Sequence, residues 1–229
     1  MSHYFSKVRL RAMGSRDLWL IRNESQGDAY RDHQIIWRLF ASDGGKRDFI
    51  FRRLDDMRTY YVVSERPPHD EEGRFDIQSK AYDPSFDVGD TLRFDLRANP
   101  VVSRRAAEGG KSRRHDMLMN AKKEARQLGN DAADAMDEAG LKWILERAAH
   151  WGLRVDERSV LQKGYCQHAL RPGRWRETGE KHKAIQFSSL DYQGVAEVVD
   201  PEALRKALFE GVGHAKSFGC GLLLVRPLC

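Results

Sequence analysis

Short alternating runs of polar and apolar residues around one amphipathic helical stretch constrain this chain more than any other feature. Tyr4–Leu10 alternates and reads as a strand. After a polar stretch with Gly14, Asn23, Ser25 and Gly27, Asp28 suits the cap of a helix over Ala29–Phe40. Gly44–Gly45 marks a turn, and Phe49–Arg53 and Thr59–Ser64 read as two short strands. Pro67, Pro68 and Gly73 mark a surface loop, and Thr91–Leu96 is a further alternating strand. Strand–helix–strand–strand with a later strand is the order of a ferredoxin-like unit.

Asn99–Pro100 ends that run, and the basic stretch after it, with Gly109–Gly110, reads as a linker. Helices are expected over Leu118–Arg126 and Ala135–Trp151. Strands are expected within Val155–Leu170 around Gly164, and over Ala184–Ser189, Tyr192–Val199 and Leu222–Val225. Pro201 opens a last helix that ends at Gly211. The expected architecture is α+β, two tandem ferredoxin-like (RRM-like) domains at 1–98 and 117–229, joined by a basic linker at 99–116. The 229 residues suffice for one large domain or two small ones, and 41% hydrophobic content supports a packed core. The halves share no sequence repeat.

The formal net charge is +5, and its distribution says more than its size. Arg93, Arg97, Arg104, Arg105, Lys111, Arg113 and Arg114 form one basic cluster. Arg171, Arg174, Arg176, Lys181 and Lys183 form another, while Asp131, Asp134, Asp137 and Glu138 gather elsewhere. Segregation by sign suits a phosphate-binding face, and equally suits solvated basic loops. The three cysteines form no CxxC pair and no Cys/His set has zinc spacing, so neither a disulfide framework nor a zinc site is expected. Met1–Leu10 lacks an apolar signal core, and no apolar run approaches the roughly 20 residues of a membrane helix. A soluble, cytoplasmic chain is expected.

On a helical wheel Ala29, Ile36 and Phe40 define an apolar face, His33 and Trp37 its shoulder, and Tyr30 lies just beyond. Spacings of three and four place the Tyr30 phenol and the His33 imidazole over one small volume near a helix N-terminus, where anions are favoured. An imidazole moves protons near neutral pH, and a phenol holds a phosphate oxygen or a ribose. The same spacing also fits a half-buried structural histidine beside a tryptophan.

Near the C-terminus four glycines fall within eleven residues, Gly211–Gly221. Such a run cradles an anion with backbone N–H groups, or makes a tight turn with no ligand. A nucleotide P-loop is excluded: Ala215 precedes Lys216 where that motif needs glycine, and the segment leaves a helix rather than opening one. Lys216–Gly221 partly matches the RNA-binding strand motif of RRM domains.

Several segments, in order, carry a family resemblance. Tyr30–Phe40 resembles the Y-x-x-H…W-x-L-F helix of the CasE family, the CRISPR repeat-RNA endoribonucleases of type I-E systems (RAMP superfamily). Arg47–Phe51 resembles its R-D-F-L-F strand, Leu96–Pro100 its L-R-A-N-P junction, and Gly211–Leu222 its G-x-G-x-A-K-S-x-G-C-G-L ending. Gly14–Gly27 and the acidic Asp131–Glu138 stretch depart from the family pattern.

The resemblance implies a metal-independent endoribonuclease of antiviral defence without a cofactor. Such an enzyme cuts CRISPR repeat RNA beside a stem-loop by 2′-OH attack, leaving 2′,3′-cyclic phosphate and 5′-OH ends. It then keeps the mature guide RNA as a subunit of the type I-E surveillance complex. His33 becomes the acid or base, and Tyr30 orients the ribose-phosphate. Arg97, Lys111, Arg113, Arg114, Arg171, Arg174, Arg176, Gly211, Gly213, Lys216, Gly219 and Gly221 become RNA-contact candidates. Trp175 is left to stack on RNA or to pin its own hairpin. The alternative is a non-catalytic structured-RNA-binding subunit of the same fold. The enzyme reading requires His33 and the glycine run to meet.

Overall fold

The computed structural model describes residues 2–11, 28–40, 47–104, 113–170 and 185–228. β1 (His3–Leu10), α1 (Asp28–Trp37), β2 (Phe49–Arg53), β3 (Thr59–Ser64) and β4 (Phe75–Tyr82) build the first unit. Its sheet is antiparallel in the order β2-β3-β1-β4, with Tyr4 opposite Ser64 and His3 opposite Tyr82.

Side chains alternate across a strand, and here both faces are used. Val8, Leu10, Phe49, Phe51, Tyr60, Val62 and Phe75 pack on Ile35, Ile36, Leu39 and Phe40 of and after α1. Ile50, Val63, Phe5 and Tyr61 turn the other way, onto Leu222, Leu224 and Phe209 of the second unit. The expected helix thus stops at Trp37, and Leu39 and Phe40 close a tighter turn through N–H bonds to Ile36 O and Trp37 O.

β5 (Thr91–Ala98), β6 (Val101–Arg104), β7 (Arg113–Asp116), α2 (Met117–Leu128), α3 (Ala132–Ala148), β8 (Leu153–Val155), β9 (Leu161–Leu170), β10 (Ile185–Val198), α4 (Pro201–Glu210) and β11 (Leu223–Pro227) follow. The second sheet runs β11-β5-β10-β8, with β9 also on β10. Since β8 and β9 take the same side of β10, they occupy one edge position. Asp116, Asp131 and Asp200 cap α2, α3 and α4 by accepting N–H groups of their first turns, and Gly129 ends α2 in a left-handed conformation, whereas Asp28, expected as the cap of α1, lies within its first turn. Leu92, Phe94, Leu96 and Ala98, every second residue of β5, enter a core with Trp143, Ile144, Tyr192, Leu204 and Leu208.

Three expectations are corrected. Thr91–Leu96 was expected to close the first unit before a boundary at 98, but β5 hydrogen-bonds β10 and β11 in the second sheet. The first sheet is closed instead by β4, whose mostly exposed residues hide the alternation of an edge strand. Within the expected 99–116 linker, β6 and β7 pair as a hairpin, Val101 opposite Asp116. Finally, Ala184–Ser189 and Tyr192–Val199 are not two strands. β10 is continuous, because the bidentate partner Arg97 lets Asp191 sit buried within it. A bulge at that point leaves Gly164 of β9 at φ +69°.

Candidate active site between the two units

α1 carries Tyr30 and His33 with their ring centroids 6.3 Å apart, and His33 meets the second unit. The glycine run reaches the same place. After α4 the chain turns at Gly211, forms a short 3-10 turn at Lys216–Phe218, and returns as β11. Gly221, at φ +86°, lies so close to Val212 that an added Cβ would stand 2.3 Å from its carbonyl oxygen. The loop is tied down by Val212 N–H to Gly221 O and by Gly221 N–H to Arg97 O, at 2.8 and 2.7 Å.

This geometry delivers Ser217 to α1. His33 Nδ1 lies 2.9 Å from Ser217 O. A carbonyl only accepts, so Nδ1 carries a proton and Nε2 is the nitrogen left to exchange one. Burial pushes the His33 pKa below the ordinary 6.5, opposed by the Ser217 bond and reinforced by the Arg47 cation. The imidazole is therefore mostly neutral at pH 7. Arg47 Nη1 donates to Ser217 Oγ at 2.5 Å. One serine thus holds the imidazole by its carbonyl and a guanidinium by its hydroxyl.

Aromatic rings continue the contact between units. His33 faces Phe218 at 5.8 Å, Phe218 stacks on Phe187 at 5.3 Å, and Phe187 stacks on His168 at 4.5 Å. Phe218, Phe187 and His168 line a cleft of about 740 Å³, together with Arg47, Arg114 and His214. Burial lowers the pKa of His168, helped by Arg97 and Arg53. Burial lowers that of His214 too, helped by Arg114 and Lys216.

α1 is itself anchored from below. Asp32 is buried, accepts from Tyr60 OH at 2.9 Å and pairs with Arg53 at 3.1 Å. Desolvation raises its pKa against the pull of Arg53.

Of the other residues singled out in the sequence, Arg114 lines the cleft. Lys216 lines it too, but its Nζ donates to Glu210 O and Gly211 O at the end of α4, leaving one N–H. Arg97 is held by Asp191 through Nε and Nη2. Gly211, Gly213, Gly219 and Gly221 all have positive φ and shape the loop. Lys111, Arg171, Arg174, Arg176 and Trp175, and the side chain of Arg113, lie outside the described residues. Ser217, Arg47 and His168 were not singled out. The first two sit inside segments that carry the resemblance, whereas nothing around His168 flags it. Among the described residues no three His, Cys, Asp or Glu side chains cluster as metal ligands. No described helix is long and apolar enough to cross a membrane.

Fold and site together define an α+β protein of two tandem ferredoxin-like domains, with a cleft lined by Arg47, Ser217 and Phe218 and His33 held against Ser217 and Phe218 beside it. Residues 3–227 match the family model described as CRISPR associated protein. The chain is 28% identical to the CRISPR system Cascade subunit CasE of Escherichia coli, over 98% of this chain and 100% of that one. It is 32% identical to the CRISPR-associated endoribonuclease Cse3 of Thermus thermophilus, over 85% and 80%. A solved structure of Thermus thermophilus Cse3, bound to an RNA representing a pre-cleavage complex, superposes with a TM-score of 0.66 at 24% identity, over 99% and 100%. The chain belongs to the CasE (Cse3) family of CRISPR-associated proteins.

Proposed function

We propose that this chain is a metal-independent endoribonuclease that cuts CRISPR repeat RNA beside a stem-loop and retains the processed guide RNA within a type I-E surveillance complex in the cytoplasm. Two relatives support the reading: the Thermus protein is named an endoribonuclease, and the Escherichia coli protein a Cascade subunit. The observation that carries it is the 2.9 Å contact between His33 Nδ1 and Ser217 O, which puts the ring proton on Nδ1 and leaves Nε2 as the nitrogen able to accept one, on an imidazole whose pKa burial lowers.

RNA supplies its own nucleophile. His33 Nε2 takes the proton of the 2′-OH, the 2′-oxygen bonds to phosphorus, and the bond to the 5′-oxygen breaks as that oxygen takes a proton from the imidazolium or from water. The products are a 2′,3′-cyclic phosphate and a 5′-OH. Tyr30, one turn before His33 on α1, orients the ribose-phosphate by a hydrogen bond from its phenol. Arg114 supplies cationic surface along the cleft. Arg171, Arg174 and Arg176 are proposed to reach along the RNA stem, and Arg97, Lys111 and Arg113 to be further phosphate contacts.

The test is incubation with the repeat RNA of the same host in EDTA, followed by analysis of the product ends. Cleavage is expected to persist without metal and to vanish when the scissile nucleotide is 2′-deoxy. Cleavage of the deoxy substrate would exclude 2′-OH attack. Tight RNA binding with no product would favour a non-catalytic subunit.

A further inference from the structure

Arg47, Arg114 and Lys216 are lysine and arginine side chains that line the cleft among the described residues. They are not equivalent. Lys216 is turned onto the last carbonyls of α4, at 2.9 and 2.7 Å. Arg47 stands just ahead of β2, and its one hydrogen bond among the described residues goes from Nη1 to the Ser217 hydroxyl. It has no carboxylate partner among the described residues. The neighbouring Asp48 is occupied by Arg66, at 2.6 Å.

Burial lowers the pKa of Arg47, the mark of a cation withdrawn from water without an anion beside it. Withdrawing such a charge is costly, and an anion seated in the cleft would relieve that cost. A guanidinium offers five N–H donors in a planar fork, and only one is engaged by a described residue. The edge that remains matches two oxygens of a phosphate. The imidazole that exchanges the proton is held by the same serine, 2.9 Å from its carbonyl.

We propose that Arg47 is a catalytic residue of the cleavage reaction, contacting the non-bridging oxygens of the scissile phosphate while His33 handles the 2′-OH proton. The inference rests on the function proposed above. In the step, the 2′-O–H bond breaks with its proton passing to His33 Nε2. The 2′-O–P bond forms, the P–O5′ bond breaks, and the 5′-oxygen leaves with a proton returned from the imidazolium or from water. Negative charge builds on the two non-bridging oxygens between those events, and a pre-positioned guanidinium stabilises it most there. Arg47 has a second effect through its charge. The described groups against His33 are Tyr30 and Trp37 on its own helix, Arg47 ahead of β2, and the Ser217 carbonyl with Phe218 in the loop. Arg47 is the cation among them, and it favours the neutral imidazole that accepts a proton.

A strut that merely holds Ser217 would look similar in a single mutant, so the experiment separates the two. Single-turnover cleavage of the host repeat RNA is measured at saturating protein for wild type, Arg47→Ala, Arg47→Lys and Ser217→Ala. Each is assayed with an ordinary scissile phosphate and with each phosphorothioate diastereomer. Arg47→Ala is expected to lose about 10²–10³-fold. Arg47→Lys should recover only part, since an ammonium lacks the fork. Ser217→Ala deletes the hydroxyl but keeps the carbonyl that holds His33, and should lose about tenfold or less.

Sulfur substitution should slow the wild type for at least one diastereomer and slow Arg47→Ala much less. Arg47→Ala should also show a higher apparent pKa on the acid limb of its pH–rate profile. Should Arg47→Ala prove unstable, Arg47→Lys with the same sulfur comparison decides. A full sulfur effect in the arginine variants, or a Ser217→Ala loss equal to that of Arg47→Ala, would reduce Arg47 to a strut and overturn the proposal. A cleaving wild type with an equally active Arg47→Ala would overturn this role alone. A wild type that binds the RNA and leaves it intact would overturn the proposed function as well.

Discussion

The two domains share a strand order but not a helix content. In the second, α2 with α3 and α4 make the crossovers, and they cover one core of Trp143, Ile144, Leu204 and Leu208 on the sheet. In the first, α1 makes the first crossover, and residues 65–74 pass from β3 to β4 without a helix. Pro67 and Pro68, with their fixed φ and missing N–H groups, suit that path. The opposite face of the first sheet is covered by Leu222, Leu224 and Phe209 of its neighbour. The thinner domain therefore carries the proposed base, and the thicker one finishes its position through Ser217. Chemistry placed on the less self-sufficient partner makes activity depend on the docking of both.

The largest expected effect tests that dependence at its centre. His33→Ala should reduce single-turnover cleavage by about 10²–10⁴-fold. RNA affinity in a gel-shift titration should barely change. Undiminished cleavage would remove α1 from the reaction. Next, Leu208→Ala, in the self-contained core, should cost about 2–5 kcal/mol in denaturant unfolding. Ile50→Ala, at the seam, should cost at the lower end of that range but lower activity along with stability. If both variants lost activity only in proportion to the unfolded fraction, the seam would have no special role.

A smaller effect is expected at Gly221→Ala, where the φ of +86° and the Val212 carbonyl oppose a Cβ. A loss of about 1–3 kcal/mol, with cleavage falling further than stability, would show that the loop shape sets the His33 contact. Gly213→Ala meets nothing within 4 Å and carries only the strain of its φ, +67°. It should be the milder of the two.

The smallest effect is a pH dependence. His33, His168 and His214 all have pKa values lowered in the fold, by burial first. Each binds its proton more weakly folded than unfolded. Their contribution to stability is full above the ordinary 6.5 and is lost as pH falls through their folded values. The Tm should therefore fall on acidification from about pH 7 to about pH 5. Bound RNA should lessen the drop, because phosphates favour the imidazolium form. A Tm flat over that interval would contradict the half-buried state of the three imidazoles.

Legibility followed locality. β1, β2, β3, α1 and α4 were readable because hydrophobic period and helix- and turn-marking residues are properties of neighbouring residues. β4 was missed because an exposed edge strand such as Phe75–Tyr82 has almost no buried face to alternate. β5 was recognised as a strand but given to the wrong sheet, since alternation specifies a face and not a partner. The break expected between Ser189 and Tyr192 disappeared because Asp191 finds Arg97 across the sheet, 94 residues away.

At the site, Tyr30 and His33 were legible through their shared helical stripe. Arg47, one of 39 lysines and arginines, opens the Arg47–Phe51 segment that carries the family resemblance, but nothing in that segment says that it meets Ser217. The Ser217 carbonyl had no signal at all, because every residue carries one.

What the amino-acid order determined alone was therefore whatever depends on short-range geometry: most strand and helix types, the proline that opens α4, the glycine-rich turn, and a phenol three residues before an imidazole. Which sheet owns β5, which nitrogen of His33 holds its proton, and which arginine stands beside it were decided only by tertiary structure. Those outcomes depend on contacts such as His33 with Ser217, 184 residues apart, and no pattern within a window of sequence encodes a distance of that kind.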